Sequence, residues 1–86
     1  MTLHWINEDA LLATMNKNFS ERRIGCDSCR FISIQRLPQG EVDSLGCNWS
    51  HAHFECTHPD DYEKSVCHRH AQEVQDFFKE HYSLAH

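Results

Sequence analysis

The sequence predicts an α+β fold: an N-terminal helix, then a β-hairpin or three-stranded antiparallel sheet, then a long C-terminal helix. Three features point there. Leu11, Met15 and Phe19 recur at every fourth position with Leu12 beside them, one apolar stripe at helical spacing. Residues 30–37 are rich in β-formers and partly alternate apolar with polar side chains. Tyr62, Val66, His70, Val74 and Phe77–Phe78 form a second row spaced by four. With 86 residues the chain is read as one domain.

In order, His4-Trp5-Ile6 is a short apolar lead-in. Asn7 can cap a helix, and Glu8 and Asp9 then fall in the first turn, where the helix dipole favours acids. The stripe predicts a helix over 8–18, ended by Asn18 and Ser20. Gly25 loosens the chain before Cys26. A strand is expected over 30–37 and a turn at Pro38-Gln39-Gly40-Glu41. A second strand over 42–49 is interrupted by Gly46 and puts Leu45, Cys47 and Trp49 on one face. If 50–56 is also extended, Ala52, Phe54 and Cys56 point one way and His51, His53 and Glu55 the other. Pro59 at a first helical position, followed by Asp60 and Asp61, marks the start of a helix running from about 60 or 65 to 82. Its Val74, Phe77, Phe78 end offers a face for pairing with a second copy.

A chain this short buries only roughly 60–65% of its unfolded surface, so it often needs a staple. The cysteines suggest one. Cys26 and Cys29 form a C-x2-C knuckle that points two thiolates at one place, where a zinc ion needs two more nitrogen or sulfur ligands. Cys67 and His70, three apart on the expected helix, share a face and supply the other half; Cys56 competes for the last position and Cys47 is next. The candidate ligands are therefore Cys26, Cys29, Cys56, Cys67 and His70, for one zinc per chain. Five cysteines cannot all pair within one chain, whereas four ligands and one spare suit the count. No basic region followed by an apolar run opens the sequence and no stretch approaches the ~20 apolar residues of a membrane span. The expectation is a cytoplasmic protein, where cysteine clusters more often bind metal than form disulfides.

Knuckle, hairpin, then a helix carrying the second ligand pair resembles a treble-clef zinc finger from Cys26 to about Tyr82. The resemblance implies a structural zinc. The spacing departs from it: 37 residues separate Cys29 from Cys67, and the second pair reads C-x2-H. Cys67-His68-Arg69-His70, with Asn48 and His51 or His53 upstream, is faintly similar to the His-Asn-His nucleases. The paired Asp-His that such enzymes carry before the hairpin turn is absent.

Charge and composition rank the functions. The net charge is −5, with +1 in residues 1–40 and −6 in residues 41–86. That opposes generic duplex binding, which depends on neutralising phosphates, and suits a partner with a basic surface. The leading expectation is a small zinc-stabilised adaptor or regulator that binds, and can inhibit, a protein partner; no convincing catalytic set is present. Second is a nucleic-acid-binding transcriptional regulator using the basic 17–36 window: Lys17, Arg22, Arg23, Arg30 and Arg36, with Phe19, Phe31 and Trp49 for stacking. Third is a small metal-dependent hydrolase or nuclease, with His51, His53 and Glu55 as a two-histidine, one-carboxylate face.

Overall fold

The elements run β1 (His4–Ile6), α1 (Glu8–Arg22), β2 (Cys29–Arg36), β3 (Trp49–Cys56), α2 (Asp61–His81) and β4 (Tyr82–Leu84). The structure, a computed structural model, describes residues 3–22, 26–44 and 46–85. Arg23, Gly25 and Leu45 lie outside the described residues, and with them the Gly25 hinge, the Arg23 charge and the face of Leu45 that the sequence suggests.

Helix α1 starts where Asn7 caps it: the Asn7 side-chain oxygen accepts from the Ala10 N–H at 2.8 Å. Leu11, Met15 and Phe19 are its buried stripe. It runs to Arg22 rather than stopping at 18. Asn18 and Ser20 do not break it because both side chains bond within the helix. Asn18 accepts from Arg22 Nε at 3.1 Å, and Ser20 donates back to the Lys17 carbonyl at 2.9 Å.

Helix α2 is capped by Asp60, whose carboxylate accepts the Glu63 N–H at 2.9 Å. Pro59 therefore stands before the cap rather than at the first helical position. The buried face is Cys67, Ala71, Val74 and Phe78. The expected row is rotated from this: Tyr62 is 74% exposed and His70 only half-buried, while Cys67 takes the core position. Val74 and Phe78 are spent on the chain's own core, which leaves Phe77 at the surface, stacked on His81.

The central sheet is two-stranded and antiparallel. Cys29 lies opposite Cys56, Phe31 opposite Phe54 and Ile34 opposite Ala52, with register shifts between Phe31/Ser33 and Gln35/Arg36. Among the described residues of the strand expected over 42–49 only Trp49 is in a strand; 41–44 and 46–48 are loop and the partner strand is Trp49–Cys56. The loop closes on itself instead. Asp43 N–H donates to the Cys47 carbonyl, Asp43 Oδ1 accepts the Cys47 N–H, and Gly46 turns at φ +82°. Only a residue without a Cβ adopts that backbone at no steric cost. The lead-in His4–Ile6 is itself a strand, paired in parallel with β4 in a separate two-stranded sheet.

Between helices and hairpin sits the core. Phe19, Phe31 and Phe54 meet edge to face at 5.1–6.1 Å. At the β2 irregularity the Asn16 side chain completes the sheet from α1: its amide donates to the Phe31 carbonyl at 3.0 Å and its oxygen accepts the Phe31 N–H at 2.7 Å. Gln75 does the same from α2, accepting the Ala52 N–H at 2.8 Å.

Candidate metal centre

Three segments distant in sequence deliver four sulfur atoms to one end of the hairpin. The knuckle is a tight turn in which the Cys29 N–H donates to the Cys26 carbonyl at 3.1 Å. Cys29 opens β2 and Cys56 closes β3, directly opposite each other. Thr57 then ties the end of β3 to the knuckle, donating from both its N–H and its hydroxyl to the Ser28 carbonyl at 3.2 Å. Cys67 arrives from the second turn of α2 and is wholly buried; Cys26, Cys29 and Cys56 are 4–8% exposed.

The sulfurs are joined as Cys26–Cys67 and Cys29–Cys56, with Cα–Cα distances of 6.0 and 3.9 Å. The Sγ atoms of Cys29, Cys56 and Cys67 all lie within 4.8 Å of one another. Thiolates at about 2.3 Å from a zinc ion stand roughly 3.8 Å apart, so the three gathered sulfurs could hold a metal ion once reduced, while Cys26 lies outside that group. The donor chemistry fits zinc, and so does the burial. Among the described residues no histidine or carboxylate joins the three sulfurs. His70 lies one turn beyond Cys67, with Nδ1 3.9 Å from Glu73 Oε2 and buried without a hydrogen-bond partner. Cys29, Cys56 and Cys67 are thus the gathered sulfurs, and His70 is not among them.

Cys47 is the free thiol. It is fully buried against β4, donating to the Tyr82 carbonyl at 3.5 Å and the Trp49 carbonyl at 3.6 Å. Burial pushes its pKa up, opposed by the hydrogen bond with Trp49 and the charge of Lys79. Lys79 is itself tightly held: 2.8 Å from Asp43, donating to the Trp49 carbonyl and 4.9 Å above the Trp49 ring.

The remaining sequence-derived candidates are scattered. His51 and His53 come together, ring centres 4.8 Å apart, but Glu55 lies opposite Arg30 and lines a different depression with Asp27, Ser28 and Thr57. Asn48 is absorbed by β4: its oxygen accepts from Leu84 N–H and Ser83 Oγ, and its amide donates to the Leu84 carbonyl. Of the basic window, Arg22 is paired with Glu73 at 3.0 Å and Arg36 lies 3.9 Å from Glu8, while Lys17 and Arg30 are exposed. The sequence did not single out His68 as a ligand, yet its ring meets Phe54 at 5.0 Å; its place next to Cys67 on a helix lying against β3 was the available signal. Among the described residues no helix is long and apolar enough to cross a membrane.

Comparison with known families, with curated proteins and with solved structures returns no match to this chain.

Proposed function

We propose that Cys26, Cys29, Cys56 and Cys67 hold one structural zinc ion in the reduced protein, and that the domain is an adaptor or regulator that binds a protein partner. The supporting observation is the sulfur cluster itself, buried beneath a helix whose outward face stays open. That face of α2 carries Tyr62, Arg69, Asp76 and Glu80, all exposed. An acidic face with an aromatic at one end suits a basic protein surface. Use of the 17–36 window on nucleic acid is weakened by the pairing of Arg22 and Arg36 with acids.

Two measurements test this. Protein purified without oxygen should carry about one zinc by elemental analysis. On denaturation with chelator it should release five titratable thiols rather than the single Cys47 of the disulfide form. In affinity capture, a stoichiometric partner should be lost with Asp76→Lys and Glu80→Lys together and kept with Lys17→Glu and Arg30→Glu together. The opposite pattern, with nucleic acid in the eluate, would replace the protein-binding proposal with the nucleic-acid one.

A further inference from the structure

Beside β3 and α2 lies a cleft of about 400 Å³ whose walls include His51, His53 and His68. None of its lining residues is a cysteine, so it is separate from the sulfur cluster. His51 and His53 are two apart on a strand and so share a face. Their ring centres are 4.8 Å apart. A late first-row metal binds an imidazole nitrogen at roughly 2.0–2.1 Å, and the ring centre lies about 1.1 Å further along. Two rings on one ion, at coordination angles of about 90–110°, therefore have centres roughly 4.5–5.1 Å apart. The observed spacing falls inside that interval.

Ser50 sets the tautomer. Its hydroxyl donates to the Gln35 carbonyl at 3.3 Å and lies 3.0 Å from His51 Nδ1. When Ser50 gives its proton to Gln35, Oγ accepts from Nδ1–H and His51 Nε2 is the nitrogen with a free lone pair. Metal-binding histidines are usually held in this way by a hydrogen bond to the other ring nitrogen. From α2, His68 lines the same cleft, its ring packed on Phe54 and outside the chelating pair.

We propose that His51 and His53 chelate one divalent late-transition ion of the imidazole-preferring class from one face of β3. Zinc, copper and nickel all suit imidazole. The remaining coordination positions stay open to water or to a group carried by a partner.

The probe is Ni²⁺, which takes imidazole without oxidising thiols, added to the full chain and followed by calorimetry and by paramagnetic broadening of amide signals. The expected result is one Ni²⁺ per chain, with broadening centred on residues 50–54 and 68. His51→Asn and His53→Asn, both at exposed positions, should each weaken binding more than tenfold. Ser50→Ala, which touches no ion, should weaken it by about tenfold through the lost hydrogen bond. His4→Asn should leave it unchanged. No saturable binding, broadening centred elsewhere, or unchanged affinity in the His51→Asn/His53→Asn double variant would overturn the site.

Discussion

Replacing Cys67 by Ala separates the two states open to the sulfur cluster, because the cost differs between them. In the disulfide form, Cys26–Cys67 spans 41 residues and Cys29–Cys56 spans 27. The loops are nested. With the inner bond closed, 41 less 27 leaves a ring of about 14 residues, whose closure contributes about 3 kcal/mol by the chain-entropy relation. An 86-residue domain has an unfolding entropy of about 0.18 kcal/mol/K, so Cys67→Ala should lower the melting temperature by roughly 15–20 °C. Adding Cys26→Ala should cost almost nothing more, since both residues serve one bond. In the reduced, zinc-loaded form the same change removes a ligand from a site worth on the order of 10–16 kcal/mol. That is as large as the usual margin of about 5–15 kcal/mol, and the cooperative melt should disappear. The assay is thermal melting by circular dichroism, run once oxidised and once reduced with zinc. A variant that melts within a few degrees of wild type under both conditions would refute the argument that the sulfur cluster holds the fold together.

Other perturbations test the surrounding structure. Asn16→Ala leaves the Phe31 peptide without the two bonds it draws from α1, and should cost about 2–3 kcal/mol in urea unfolding. Lys79→Met removes the cation that pairs with Asp43 and bonds the Trp49 carbonyl and should cost about 2–3 kcal/mol; adding Asp43→Asn should recover part of it. Cys47 supplies a pH test. Its folded pKa is raised by burial, so the neutral thiol's contribution is full below the ordinary thiol pKa and is lost as pH rises through the higher folded value. The urea midpoint should therefore fall on the alkaline side, and Cys47→Ala should flatten that limb.

What could be read ahead of the structure was whatever had a short period or a strong local signal. The Leu11, Met15, Phe19 stripe lies in the core, and the Asn7 cap is where the residue type put it. Cys26 and Cys29 do meet other sulfurs, but as disulfide-bonded pairs with Cys67 and Cys56. The errors came where tertiary contacts outweighed local preference. Val42 and Cys47 are strand-compatible, but hydrogen bonds between Asp43 and both Cys47 and Gly46 close a loop there instead. On α2, a row through Tyr62 and His70 and one through Cys67, Ala71, Val74 and Phe78 are both helical patterns. Only the packing partner distinguishes them, and the sulfur cluster decides for Cys67. The opposition of Cys56 to Cys29 depended on a register that no single segment encodes. The same holds for the His51–Ser50–Gln35 chain, which crosses between two strands.

The clasp between β1 and β4 has a mechanical consequence. Its strands run the same way, His4 beside Tyr82 and Ile6 beside Leu84, with Ala85 N–H bonded to the Ile6 carbonyl. Tension applied at the two ends of the chain pulls these strands in opposite directions along their length. Their bonds are then loaded in shear, all together, instead of being unzipped one by one. A protein threaded from either end into an unfolding motor would meet its first resistance at this clasp, before the force reached the hairpin.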